Sequence, residues 1–212
     1  MKKACTISSY CSIRANSVVL DNKTLYTAPP EGFTKFSAGI YRHFSINYPK
    51  FHKMDNLSKL GFLSVELLLK DRDIKHKYSG DEVGIILTNS SSSLDTDRNH
   101  QKTITSRNDY FPSPAVFVYT LPNVVIGEIC IKNKIFGEGN FFVMEKFNPT
   151  FLVNYITQLF DNKIIECCIT GWVEINGNDF ESVVFLIEKS SKTETGIANF
   201  EPADILSIYN RK

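Results

Sequence analysis

The apolar positions of this 212-residue chain fall into helical and strand-like stretches that alternate along it. Met54, Leu57, Leu60, Gly61, Leu63, Leu67 and Leu68 recur at steps of three and four. That spacing predicts a helix over 54–70 with a wide apolar face and Asp55 as its N-cap. A second helix is predicted over 123–134, with Val124, Val125, Ile129 and Ile131 among its apolar positions. Gly127 lies inside it, where it permits close backbone approach at some cost in helix propensity. A third helix starts sharply at Asn148-Pro149, Asn as the cap and Pro at the first helical position. It continues through Leu152, Tyr155, Ile156, Leu159 and Phe160 and ends near Asp161-Asn162.

Residues 81–88 form a short, almost unbroken apolar run between turn residues, the pattern of a strand buried on both faces. The polar run Asn89 to Ser93 after it reads as a flexible loop, because no glycine-rich phosphate motif surrounds the serines. Further strands are predicted at 141–144, 164–173 and 183–188, the last two joined by a turn at Asn176-Gly177-Asn178-Asp179. At the start, 5–20 reads as one strand followed by a loop, and 27–40, with Pro29-Pro30-Glu31-Gly32, as a turn-rich surface excursion. Phe111-Pro112-Ser113-Pro114 cannot sit inside a regular helix. Strands alternating with helices predict an α/β fold, a layered mixed sheet with flanking helices, in a single domain over 1–212.

Composition removes several function classes. Lys and Arg total 24 against 23 Asp and Glu, a formal charge of +1, and no basic stripe appears, so no nucleic-acid partner is expected. The clusters Lys70-Asp71-Arg72-Asp73 and Lys75-His76-Lys77 read as solvated surface. The N-terminus is too polar for a signal peptide, and no stretch approaches the ~18 apolar residues that span a membrane. Cys5, Cys11, Cys130, Cys167 and Cys168 show no paired metal spacing. They read as reduced, buried thiols, which predicts a cytoplasmic setting with no metal and no cofactor. Cys167 and Cys168, adjacent on a strand, should face opposite ways.

Several segments, in order, resemble the β-ketoacyl-(acyl carrier protein) synthase family. Met54-Asp55-Asn56-Leu57-Ser58-Lys59-Leu60 is similar to the family's M-D-x-x-x-R-L, and Val83-Gly84-Ile85-Ile86-Leu87-Thr88 to its V-G-V-V-x-G-T strand. Residues 111–117 and 121–131 resemble the P-S-P-x-x-F-x-x-T-x-P-N-x-x-x-G-x-I-A-I stretch, which places Asn123 and Gly127 on motif positions. Phe136-Gly137-Glu138-Gly139-Asn140 follows where the family has G-x-x-G-P-x. Together these cover about three-quarters of the chain. The resemblance implies a thiolase-like half: the family builds each subunit from two such halves, and this chain matches the first. Residues 201–209 resemble the strand that ends that half.

The family's nucleophile is a cysteine at the start of a buried helix, where helix-terminal N–H groups favour the thiolate, and its histidines come from the second half. A gap-free alignment of 159–174 with the family's L-I-x-x-G-x-A-D-x-x-L-A-G-G-x-E places Gly171 on a motif glycine. It puts Lys146 at the nucleophile position, two residues before Asn148. No cysteine lies nearby, and His43, His52, His76 and His100 all precede the region and read as surface or loop residues. Lys146 reads as solvated beside Glu145, not as an amine nucleophile. The resemblance therefore implies a non-catalytic accessory subunit of fatty-acid, polyketide or aryl-polyene-type synthesis, a homo- or hetero-dimer partnered by a full-length ketosynthase. It also implies an exposed apolar surface where the second half would pack. The alternatives are a split synthase completed by a partner, or a stand-alone module for an acyl thioester or acyl carrier protein, docked through Lys132, Lys134 and Lys146.

Overall fold

A computed structural model describes residues 5–105, 112–189 and 196–211; Phe111 of the proline motif lies outside them. The chain opens with three antiparallel strands, β1 (Cys5–Arg14), β2 (Ser17–Leu20) and β3 (Lys23–Thr27). Their turns, Ala15-Asn16 and Asp21-Asn22, hold all four residues at positive φ, between 43° and 68°. Such two-residue turns match the twist of a hairpin, so the loop expected after the first strand is instead a meander. The expected surface excursion is also corrected. Phe33–His43 is helix α1, and Phe33, Phe36 and Ile40 are buried on one face of it, the three- and four-residue spacing that drives helix docking.

Helix α2 (Asn56–Leu68) follows as expected, and the Asp55 carboxylate accepts from Ser58 N–H at 2.9 Å. After the short α3 (Ile74–Lys77), all seven residues of β4 (Val83–Asn89) are buried. Next come α4 (Leu94–Lys102), α5 (Pro114–Val118), α6 (Val124–Asn133) and β5 (Gly139–Val143). Helix α5 begins at the proline motif, with Ser113 capping Val116 N–H and Pro114 at the first turn. Helix α7 (Pro149–Asp161) precedes the hairpin of β6 (Cys167–Asn176) and β7 (Asp179–Lys189), and the chain ends with β8 (Ala198–Asn199) and α8 (Pro202–Tyr209). Residues 202–209, expected as a strand, are therefore a helix. Pro202 fits its first turn, and Ile205 and Ile208 are buried three residues apart.

Among the described residues the sheet has eight strands, ordered β3-β2-β1-β7-β6-β4-β5 with β8 on β1. β4 is parallel to β5 and β6, and the other pairs are antiparallel. Each face carries its own core. Val83, Ile85 and Leu87 of β4 join Cys167 and Ile169 of β6 beneath α2 and α6. Ile86, Cys168 and Phe185 face α7 and α8. The two adjacent cysteines thus point to opposite faces, as strand geometry requires. The mixed sheet with helices on both faces is the α/β architecture expected from the sequence.

Glycine has a specific role at two places. A Cβ on Gly171 (φ 154°) would lie 2.1 Å from the Val183 carbonyl oxygen, so only glycine lets β6 lie this close to β7. A Cβ on Gly61 would meet Val125 Cγ2 at 2.5 Å, which sets the spacing of α2 and α6. The close approach expected at Gly127 occurs instead at Gly61. Gly127 is exposed, and a Cβ there would meet nothing within 4 Å.

Candidate functional site

In open α/β sheets the carboxyl ends of parallel strands are where ligands bind. Here those ends belong to β4, β5 and β6. Met144 N–H donates to Asn89 O at 2.8 Å, extending the β4–β5 pairing by one step, and the chain then turns through 145–148 into α7. Lys146 lies in this turn and is exposed. Asn148 caps α7 as expected, its Oδ1 accepting from Phe151 N–H at 3.0 Å.

The start of α7 offers an anion fewer donors than an ordinary helix start. A helix N-terminus stabilises negative charge through its unpartnered N–H groups. Pro149 has no N–H, and Asn148 already takes that of Phe151. The turn is held from the side by Phe147, whose ring stacks on Tyr209 of α8 at 4.3 Å and meets Trp172 edge-on at 6.0 Å. Tyr209 O–H in turn donates to Glu181 Oε1 at 2.7 Å, and burial together with that bond pushes the phenol above its ordinary range.

The serine run is ordered by Glu174. Its Oε2 accepts from Ser90 N–H at 2.6 Å, Ser90 O–H at 2.7 Å and Ser91 N–H at 3.1 Å. Asn89 pairs with Ser92 in both directions, at 2.8 and 2.9 Å. The loop expected to be flexible thus wraps an internal carboxylate. The loop donors are spent on the protein itself, whereas the second Glu174 oxygen and the Trp172 indole N–H are buried without a hydrogen-bond partner among the described residues.

None of the five thiols is set up as a nucleophile. Burial raises the pKa of Cys5, Cys11, Cys130, Cys167 and Cys168 alike. A thiol raised this way stays protonated and unreactive near neutrality. His43, His52 and His76 are exposed and His100 is partly exposed on α4, which agrees with their reading as surface residues.

The motif positions do not converge on one site. Lys146 and Asn148 flank the start of α7, on one side of the sheet. Asn123 and Gly127 belong to α6, across the sheet in the layer with α2. Gly171 lies within β6 as a packing residue. The three lysines suggested for an acidic partner are also separated. Lys134 precedes β5 near its amino end, where Phe136 and Gly137 N–H groups bond Gly80 O, whereas Lys146 follows its carboxyl end. β5 itself, five residues at ~3.3 Å each, is about 17 Å long. Lys132 is held near Lys134, donating to Asn47 O at 3.1 Å.

The outward face of α7 presents Thr150, Asn154, Gln158 and Asp161, all exposed and polar. Large exposed apolar residues include Phe117, Val118 and Leu121 in and after α5, Ile131 of α6, and Phe136 and Val143 before and at the end of β5, with Leu94, Ile164, Ile197 and Leu206 elsewhere. Among the described residues no His, Cys, Asp or Glu group could hold a metal ion, and no helix is long and apolar enough to cross a membrane.

No family model and no curated protein matches the chain in sequence. Solved structures match it in fold. The ishigamide ketosynthase/chain length factor superposes on 90% of this chain with a TM-score of 0.65 at 14% identity. A type II polyketide synthase acyl-carrier protein in complex with its ketosynthase bound to the hexaketide gives 89%, 0.63 and 13%. A ketosynthase in complex with its chain length factor from Xenorhabdus doucetiae gives 88%, 0.56 and 12%. The chain spans 63%, 63% and 79% of those chains, respectively. Its fold is therefore the thiolase-like fold of the ketosynthase and chain length factor structures, over part of their length.

Proposed function

We propose that this chain is a non-catalytic ketosynthase-like subunit that pairs with a full-length β-ketoacyl-(acyl carrier protein) synthase in the cytoplasm. The pathway would be fatty-acid, polyketide or aryl-polyene-type synthesis. The observation that carries this reading is the start of α7. Lys146 stands in the turn where the resemblance puts a nucleophilic cysteine, and two of the N–H donors that would favour a thiolate are lost there, Pro149 having none and that of Phe151 being taken by Asn148. Two of the matched structures are named for a chain length factor beside its ketosynthase, which supports an accessory role.

The pairing reading is supported by the sheet edge. β5 bonds β4 on one side, and no strand among the described residues lies on the other. An open edge is a template for another strand. Phe136 and Val143 stand exposed at its two ends, and Ile131 beside it on α6, so an apolar surface borders the edge. A carrier protein would dock at Lys146 or at Lys132 with Lys134.

The test is purification of the tagged chain from its native lysate, with mass spectrometry of what elutes in stoichiometric amount. A full-length ketosynthase that co-elutes with the parent and Lys146→Ala chains, and is lost with Val143→Asp, supports the reading. Recovery of the parent chain alone as a monomer contradicts it.

A further inference from the structure

The sheet carries a second recess, remote from the start of α7. On β1, Cys11 and Ile13 point into the core beneath α1 and α2, as does Val18 of β2. The alternate positions Tyr10, Ser12 and Arg14 of β1, with Ser17 and Val19 of β2, point to the other face. Helix α8 packs on that face through Ile205 and Ile208. Beyond it lies a cleft of about 730 Å³ between the meander and the end of α8, within the ~300–1,000 Å³ range of small-molecule sites.

The cleft has a fixed frame. Arg14 Nη1 donates to Tyr209 O at 2.5 Å, its guanidinium lies 4.5 Å from the Tyr209 ring centroid, and its Nε is 3.3 Å from Glu181 Oε2. These contacts hold the residues after α8 against the strands. Arg211 then crosses the mouth, bonding Asn22 Oδ1 through one nitrogen with its guanidinium 6.0 Å from the Tyr10 ring centroid. Tyr10 is itself fixed, its O–H donating to Asn22 Oδ1 at 2.9 Å and accepting from Asn22 N–H at 3.0 Å.

The lining is chemically one-sided. Two arginines border the cleft and no aspartate or glutamate does; Val19, Ala15 and Ile208 supply an apolar floor, and Ser12, Ser17 and Thr24 a row of hydroxyls. Arg14 commits Nη1 to the carbonyls of Tyr209 and Arg211, and Arg211 is exposed and uses one of the five N–H donors of a guanidinium on Asn22. An arginine with donors to spare above an apolar floor selects a carboxylate with a hydrocarbon body.

We propose that this cleft binds a small organic carboxylate, with its charge on Arg211 and its apolar body on Val19 and Ile208. Arg14 is a positioning residue that sets Arg211 across the mouth. The inference stands apart from the partner proposed above, since it concerns neither β5 nor the start of α7.

The test is an amide-NMR titration of the full chain with hexanoate, using hexanamide as its neutral twin. Saturable shifts confined to residues 10–24 and 208–211, with affinity in the millimolar range or tighter, are expected. Hexanamide and the Arg211→Glu chain should each bind about tenfold more weakly, the loss of one charge-assisted hydrogen bond. Arg211 is exposed, so that substitution leaves the fold intact, and Val19→Trp should fill the cleft and abolish the shifts. Equal affinity for acid and amide, shifts centred elsewhere, or no saturable binding would overturn the assignment.

Discussion

The start of α7 and the cleft beside α8 lie on the same face of one sheet and are linked through Tyr209, but they spend their polar groups in opposite ways. At α7, Asn148 caps Phe151, Pro149 offers no donor, and Glu174 gathers the N–H groups of Ser90 and Ser91. Internal partners take these donors before any ligand can. In the cleft, Arg14 is used to hold the chain in place, and Arg211 keeps donors in reserve at an open mouth. A helix start with fewer free donors stabilises developing charge less, whereas a cationic rim over an apolar floor can still recognise it. On the reading proposed above, the start of α7 is a structural turn, and the proposed recognition chemistry lies in the neighbouring meander.

The contrast is broken most severely at Gly171, on which the registry of β6 and β7 behind the α7 site depends. Gly171→Ala drives a methyl group into the Val183 carbonyl and should cost about 3 kcal/mol, the scale of overpacking with backbone strain. Urea denaturation checks this, and an unchanged midpoint would show that β7 yields easily. Next is the polar network at the other end of the hairpin. Buried Glu188 accepts from Lys77 at 2.5 Å and Tyr78 at 2.8 Å. Burial alone would raise its pKa, but the Lys77 ammonium, with the neighbouring hydroxyls of Ser8 and Tyr78, outweighs it, and the carboxyl is held below its ordinary value. A carboxyl lowered on folding adds stability above its unfolded pKa, and that contribution disappears as pH falls through the folded pKa. Glu188→Gln should therefore remove about 1–2 kcal/mol near neutrality and flatten the acid limb of the stability profile.

Glu174→Ala releases the serine loop and should cost about 1 kcal/mol. It should also speed hydrogen exchange at Ser90 and Ser91 while leaving carboxylate binding in the α8 cleft unchanged, which would separate the two regions by experiment. The smallest effect is expected at Lys146. Lys146→Ala should change stability by less than about 0.5 kcal/mol, as for other exposed substitutions.

Much of this architecture was legible because its signals are local. The apolar spacing of 54–70, the cap at Asp55, the seven-residue run of β4 and the Asn148-Pro149 start each carry their own instruction. Helix α1 was hidden because Pro29-Pro30-Glu31-Gly32 drew attention to turns, although Phe33, Phe36 and Ile40 already had helical spacing. The meander was missed because Ala15-Asn16 and Asp21-Asn22 lack the Asn-Gly signature of a tight hairpin. Helix α8 is so short that three-residue spacing and strand alternation are hard to tell apart in it. The α7 site was legible as an absence of cysteine. The Glu174 cradle was not, since it joins residues 83 and 84 positions apart, and neither was the cleft, whose walls come from opposite ends of the chain.

The central claim, that this ketosynthase-like fold carries no acyl-accepting nucleophile, is tested most directly by intact-mass analysis after incubation with an octanoyl thioester of N-acetylcysteamine. The account predicts an unmodified mass for the parent chain at neutral pH, with all five thiols still alkylatable after unfolding. A single octanoyl adduct on a cysteine or on Lys146, lost when that residue is substituted, would contradict it.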